Sequence, residues 1–309
     1  MKRLTGILLG LTASALWGSF YIIGRWLFGE EGDQLNPYLF TLLRFILAVL
    51  FFSPMLLKER VRKLVKQALT RDVKMFFLIA LVGIVMETLL VFYSLNFTTS
   101  ARSSLMANCS PIITVLFSFL LLKQKTPGMG LLGMVIGFAG IVTAIASRGG
   151  DIYANSAWTF FIGDGMALAS GICWAFFTVY GAKVIEEYGG LISMFVSFIL
   201  GAVIMVPVTL LLAGPSDFQI FTPKVWGGMI YTGVFTLALA NSLWYAALRY
   251  LKPGELGSFG YFSAALTFTL SGIVLKEKFS LAFICAIVLV IGGMLLMMFF
   301  PPEDTRKTQ

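Results

Sequence analysis

The amino-acid sequence predicts an all-α membrane protein with ten transmembrane helices, arranged as two inverted five-helix repeats. Composition is the first observation behind this. Of 309 residues, 58% are hydrophobic and 12% charged, with a mean hydropathy of +0.90, whereas soluble domains carry roughly 25% charged residues. Spacing is the second. Charges, prolines and polar clusters cut the chain into ten apolar runs near 4–28, 37–57, 74–95, 101–122, 128–147, 159–182, 191–213, 225–248, 254–275 and 280–300. Each is close to the roughly 20 residues that a helix needs to cross a bilayer. The third is an internal repeat. RFILAVLFFSP from Arg44 to Pro54 aligns with SFILGAVIMVP from Ser197 to Pro207, an offset of 153. The same offset sets LLLKQK, ending at Lys125, beside IVLKEK, ending at Lys278, and Gly140 beside Gly293.

Taken along the chain, each run has its own reading. In span one, Lys2 and Arg3 precede apolar residues that continue through Phe28 without a clean small-residue cleavage site. It therefore reads as an uncleaved first helix rather than a signal peptide. Pro37, Pro127 and Pro253 sit at span starts, where a missing amide donor costs little. Pro54, Pro111 and Pro207 lie within spans and are expected to bend them. The connection from Lys58 to Lys74 is basic, with Val61, Leu64, Val65, Ala68 and Leu69 at helical spacing. An amphipathic helix lying on the inner leaflet is expected there, serving as an anchor. Gly133 to Gly140 (GMVIGFAG) and Gly6 to Gly10 (GILLG) put small residues on one helix face, allowing close packing within the chain or between two copies.

Orientation follows from charge. With the amino terminus in the cytoplasm, sixteen of the 23 Lys and Arg fall on cytoplasmic segments, four on outer segments, and Arg25, Arg44 and Arg102 inside spans. The positive-inside rule then places both termini in the cytoplasm. Five spans per repeat is an odd number, so repeats 1–150 and 151–309 must cross the membrane in opposite senses. Many secondary transporters are built this way, with substrate held between the repeats and alternating access produced by one rocking against the other.

The chain contains no histidine, which removes the most common metal ligand and the most common general base at neutral pH. Cys109, Cys173 and Cys285 lie far apart in apolar runs, so neither a metal site nor a disulfide framework is indicated. No cofactor is expected. The formal charge of +8 follows from the inner loops, and no basic stripe is interleaved with aromatics, so no nucleic-acid partner is expected.

Arg44 is the residue that most needs explaining. A guanidinium facing lipid tails costs from about 3 to more than 10 kcal/mol, so such residues face protein or a wet cavity. Counting along the helices places Arg44 in span two and Glu87 in span three, both roughly 10 Å below the outer edge. Consecutive antiparallel helices are natural neighbours, so the two are expected to pair. Two roles stay open: a structural clamp, or a substrate or proton switch in which Glu87 changes partner during turnover. Arg25 and Arg102 either snorkel to headgroups or add to a positive vestibule favouring a carboxylate or phosphate. Trp17 and Tyr21 share one helix face, as do Asn241, Trp244 and Tyr245, and Trp174 repeats Trp17 in the second half. With Asn108 and Asn241 as orienting donors, the candidate substrate-binding set is Trp17, Tyr21, Arg44, Glu87, Asn108, Trp174, Asn241, Trp244 and Tyr245. No catalytic residue is assigned.

ALWGSFYIIGRW (Ala15 to Trp26), LLRFILA (Leu42 to Ala48), TTSARSSLMANCSPI (Thr98 to Ile112), and the LLKQK and VLKEK segments that end spans four and nine resemble the EamA type of the drug/metabolite transporter superfamily. The resemblance covers essentially the whole chain. Two positions depart from it: Gln124 stands where an acid is common, and Arg25 where a lysine is. The resemblance implies a secondary transporter that moves a small metabolite, an amino acid or similar organic solute, across the cytoplasmic (inner) membrane as an exporter. Expected partners are that solute, the lipid bilayer and a coupling proton, with the chain a monomer or weak homodimer. Two alternatives stay open: an organic-anion or phosphorylated-sugar exchanger of the same superfamily, and a membrane-embedded transferase. The transferase would need a catalytic acid-base set, which scattered acids and absent histidines do not supply.

Overall fold

A computed structural model describes residues 2–28, 36–94, 97, 106–147, 157–215, 217, 222–274 and 281–304, without the side chains of 21–22, 24–28, 144–147, 157–160, 267–268, 271–274, 283 and 303–304. Helix α1 (Lys2–Phe28) is followed by α2 (Pro37–Phe52), whose end tightens into a 3₁₀ turn at Ser53–Leu57, and by α3 (Glu59–Thr70). Span three is α4 (Val73–Ala80), a π-helical segment (Leu81–Met86) and α5 (Glu87–Ser94). Next come α6 (Ser110–Leu122) and α7 (Gly128–Ser147), then α8 (Ala157–Tyr188) and α9 (Gly190–Leu212). Span eight repeats the pattern of span three: α10 (Pro223–Ile230), a second π-helical segment (Tyr231–Leu239) and α11 (Ala240–Ala247). The short α12 (Pro253–Gly257), α13 (Gly260–Val274) and α14 (Leu281–Phe299) complete the helices. Strands β1 (Gln124–Lys125) and β2 (Glu303–Asp304) pair antiparallel.

Among the described residues, Pro37–Leu57, Val73–Ser94, Phe161–Tyr188 and Gly190–Leu212 are long and apolar enough to cross a membrane, and Ser110–Leu122, Gly128–Thr143 and Ile284–Phe299 are shorter apolar helices. This is an all-α, multi-pass membrane protein.

Local chemistry sets several boundaries. The side chain of Asn36 caps α2 by accepting from the amides of Tyr38 (3.0 Å) and Leu39 (3.3 Å), with Pro37 at the first helical position. The same amide donates to Asp217 at 2.9 Å, tying the start of span two to the end of span seven. Asn36→Ala is expected to cost about 1 kcal/mol, the usual loss of an N-cap, plus the cross-link; thermal melting of the purified protein measures it.

Prolines behave differently from expectation at two places. Pro54 lies in the 3₁₀ turn that ends span two, and Pro111 sits in the first turn of α6, so both mark ends and neither bends a continuous helix. Pro207 alone of the three lies inside a helix, α9. Before α6, a turn at Asn108 and Cys109 replaces the continuous span expected from residue 101; its residues 101–105 fall outside the description. At 13 residues, α6 covers about 20 Å. Helix α8 runs past the expected end at 182, because Val184, Ile185 and Tyr188 are buried in the core while Glu186 and Glu187 face outward.

The basic connection is helical as expected, but its apolar face is covered by protein. Val65 and Ala68 belong to the main core, with Val61, Leu64 and Leu69 packed against it. Gln67 and Arg71 both donate to Glu187 of α8, at 2.9 and 3.0 Å. Its basic residues face outward, so any contact with lipid is made by charge and not by an inserted apolar stripe.

Packing runs between the two halves of the chain. Helix α1 lies against α11 and α13, α2 against α9 and the second π-helical segment, α5 and α6 against α8, and α7 against α14. The last contact explains the glycines of span five. A Cβ on Gly133 would lie 2.7 Å from the Gly293 carbonyl, and one on Gly140 would lie 2.9 Å from the Ala286 carbonyl. Gly6 and Gly10 likewise face Leu251 and Phe259. These glycine faces are spent on packing within the chain.

Candidate functional site

Three tryptophans from three helices meet at the contact between the halves. Trp17 of α1 makes an edge contact with Trp174 of α8, ring centroids 4.7 Å apart at 89°, and Trp244 of α11 lies 5.0 Å from Trp17 and 5.7 Å from Trp174. Edge and tilted arrangements set positive ring edges against negative ring faces, which adds to the gain from burial. Trp244 is fully buried, with its indole N–H donating to Thr178 at 3.3 Å, whereas Trp17 and Trp174 are half-buried. Tyr245 stands behind the cluster. It is fully buried, stacks on Phe177 at 4.7 Å, and donates its hydroxyl to the Phe177 carbonyl at 3.2 Å. Gly181 makes room for it, since a Cβ there would collide with the phenol.

The second π-helical segment organises the polar side. A π turn carries an extra residue, so its carbonyls leave the regular ladder and can accept from side chains. The Thr236 carbonyl accepts from the Trp17 indole at 3.0 Å. The Thr232 carbonyl accepts from the Thr236 hydroxyl at 2.8 Å and from Nε and Nη2 of Arg44, each at 3.4 Å. Nη2 also reaches the Thr236 hydroxyl oxygen at 3.4 Å. Gly233 permits this approach: a Cβ there would lie 3.1 Å from that of Leu47, one turn beyond Arg44. Arg44 is 7% exposed, with Phe20 and Phe40 rings 5.0 and 5.4 Å from its guanidinium carbon. Ser19 and Tyr231, which precede Phe20 and Thr232 in the chain, share a 2.6 Å hydrogen bond between their hydroxyls.

The expected pairing of Arg44 with Glu87 is not formed. Among the described residues, the ion pairs within 4.0 Å involve other side chains. Arg44 turns instead toward span eight. The reason is that span two packs on the second π-helical segment, whose carbonyls leave the regular ladder, while α5, which carries Glu87, packs chiefly on α8. Glu87 is half-buried, accepts from the Thr88 hydroxyl at 3.2 Å, and remains within electrostatic reach of both Arg44 and Cys173.

Asn241 is 6% exposed and donates to the Leu237 carbonyl at 2.8 Å, closing the exit of the π-helical segment. Asn108 lies in the turn before α6. That turn abuts α8 at Gly171, where a Cβ would lie 2.9 Å from the Ala107 carbonyl, one helical turn from Trp174. The side chain of Tyr21 lies outside the description. Sequence reasoning missed Ser19, Thr232, Thr236 and Tyr231. Hydroxyl side chains within apolar runs were the signal available for them.

On the cytoplasmic side predicted from charge, contacts cross between the halves. Arg3 donates to Glu255 at 2.7 Å, to a carboxylate whose side chain is 4% exposed, and also reaches the Met298 carbonyl. β1 pairs with β2 and Arg71 bonds Glu187, whereas Lys252 donates to the Pro302 carbonyl within the second half.

Comparison with known proteins agrees with this architecture. Over 297 aligned residues the chain is 26% identical to the uncharacterized transporter YetK of Bacillus subtilis, covering 95% of this chain and 87% of that one. An uncharacterized transporter of Archaeoglobus fulgidus is 27% identical over 90% of this chain and 91% of its own. The riboflavin transporter ImpX of Fusobacterium nucleatum is 23% identical over 81% and 83%. A solved crystal structure superposes with a TM-score of 0.75 at 18% identity, covering 98% of this chain and 99% of its own, which shows the same fold. The model of the EamA-like transporter family matches twice, over residues 4–146 and 161–299. With nearly the whole chain matched, this protein belongs to the EamA-like transporter family.

Proposed function

We propose that this chain is a secondary carrier that exports a small organic metabolite, an amino acid or similar solute with a flat apolar part, across the cytoplasmic membrane by alternating access. The observation that carries this is the cluster of Trp17, Trp174 and Trp244, built from both halves and joined through Thr236 to the buried Arg44. An apolar wall with a few converging polar groups is the usual composition of a small-molecule site. Ten spans in two oppositely oriented repeats, 1–150 and 151–309, with both termini cytoplasmic, would place this site between the repeats. The twofold family match supports the repeat, and so does the recurrence of a π-helical segment: residues 81–86 moved by the offset of 153 fall on 234–239, within Tyr231–Leu239. A flat solute also suits a family in which one relative is named for riboflavin.

In this reading the contacts of Arg3, Arg71 and β1 hold the cytoplasmic end shut, and Glu87, within electrostatic reach of Arg44 and Cys173, carries the coupling proton. Counterflow in proteoliposomes against amino acids, organic acids, nucleosides and phosphorylated sugars, with and without a pH gradient, tests the proposal. Saturable exchange of one class is the expected result. Glu87→Gln is expected to keep the fold and lose the dependence on the pH gradient. Undiminished pH-dependent exchange in that variant would remove the proton role, and absence of exchange for every solute class would remove the carrier.

A further inference from the structure

We infer that Arg44 is the seat of a single carboxylate carried by the transported solute, whose flat apolar body rests on Trp17 and Trp174. This rests on the carrier reading above and adds the substrate's charge.

The inference starts from an imbalance. Arg44 is a permanent cation, 7% exposed and deep in span two, and no carboxylate lies within 4.0 Å of it among the described residues. A guanidinium presents five N–H donors in a planar fork. Here Nε and Nη2 together make three contacts, all at 3.4 Å and all to neutral oxygens. Charge-assisted bonds between guanidinium and carboxylate run shorter, at about 2.7–2.9 Å. A structural clamp would be tight and paired, because an unpaired buried charge is costly. The loose geometry fits a group that waits for a partner.

The surroundings narrow the choice of partner. Thr236 bonds Arg44 through its hydroxyl and Trp17 through its carbonyl, so the cation and the tryptophan wall share one residue. Ser19 and Tyr231, each one residue before an Arg44 neighbour (Phe20 and Thr232), join α1 to the second π-helical segment through their hydroxyls. Glu87 lies within electrostatic reach, so a dianionic phosphate would meet stronger repulsion than a single carboxylate does. Planar carboxylates also match the guanidinium fork in two parallel bonds.

The test uses the full-length protein in proteoliposomes and a panel of aromatic and aliphatic monocarboxylates, each beside its own uncharged amide, with phenylacetate and phenylacetamide as the first pair. At least one acid is expected to exchange roughly tenfold or more faster than its amide, as expected for a charged hydrogen-bonded contact. Arg44→Gln should erase that preference, and Arg44→Lys should retain part of it. A ligand-free readout runs in parallel: replacing a waiting, unpaired cation by Met should leave the melting temperature unchanged or raise it, whereas removing a clamp should lower it. Acid preference that survives Arg44→Gln, equal exchange of acids and amides, or a marked fall in melting temperature for Arg44→Met would overturn the inference. Exchange confined to solutes without a carboxylate would overturn it and leave the carrier standing; no exchange of any solute would sink both.

Discussion

Gly293→Leu should destabilise the protein by about 3 kcal/mol or more, at the upper end of what overpacking a tight contact costs. Helices α7 and α14 meet backbone to backbone: a Cβ on Gly293 would overlap the Gly133 carbonyl and the Gly137 backbone. Backbone atoms cannot rotate aside as a side chain can, so the helices must separate along much of their shared length. In a bilayer, close approach of small residues is a main source of helix association, since lipid tails already solvate apolar side chains. Gly292→Leu is the control, because a Cβ there would meet nothing within 4 Å. Melting temperature and monodispersity in detergent separate them: the variant at 293 falls sharply and the one at 292 stays near wild type. Equal behaviour would show that span five is not held to span ten by this contact.

Trp244→Ala and Trp17→Ala should fail in different ways. Trp244 is fully buried, packed at a tilt against Trp17 and Trp174 and bonded to Thr178, so truncation leaves a cavity and a stranded hydroxyl. The expected loss is about 3–5 kcal/mol, typical for a buried tryptophan. Trp17 is half-buried and gives up less packing, but it forms the wall next to Arg44. Trp17→Ala is therefore expected to keep most of the stability and to reduce saturable exchange by roughly tenfold, in line with loss of aromatic contact area at a binding site. Thermal melts beside counterflow rates distinguish the two. A Trp17→Ala variant with wild-type exchange would place the solute elsewhere.

The gross architecture was legible because its causes are local. Apolar run length marks spans, Pro37 after Asn36 marks the start of span two, and the spacing of Val65 and Ala68 marks the apolar face of α3, although spacing does not distinguish lipid from protein as its cover. The tryptophan cluster was half legible: Trp17 and Trp174 stood out as repeats of each other, and Trp244 as a neighbour of Asn241. Nothing in their spacing shows that all three touch, since that depends on how α1, α8 and α11 cross. The π-helical segments were illegible because one extra residue per turn leaves no compositional trace. That omission misdirected the reading of Arg44. Depth alone pointed to Glu87 on the neighbouring span, whereas the carbonyls exposed by the π turn at Thr232 drew the guanidinium across to the other half. The turn at Asn108 could have been anticipated from Pro111, which suits a helix start better than a helix middle.

Accessibility of a single cysteine placed at Ser19, bonded to Tyr231 across the two halves, is the decisive measurement for a carrier with its site between the halves. Cys109, Cys173 and Cys285 would first be replaced, and the variant reconstituted in vesicles of known orientation. Membrane-impermeant thiol reagents should label position 19 from either side of the bilayer, and a transported solute should protect it from both. Labelling from one side only, unchanged by any solute that the protein exchanges, would contradict alternating access through this site.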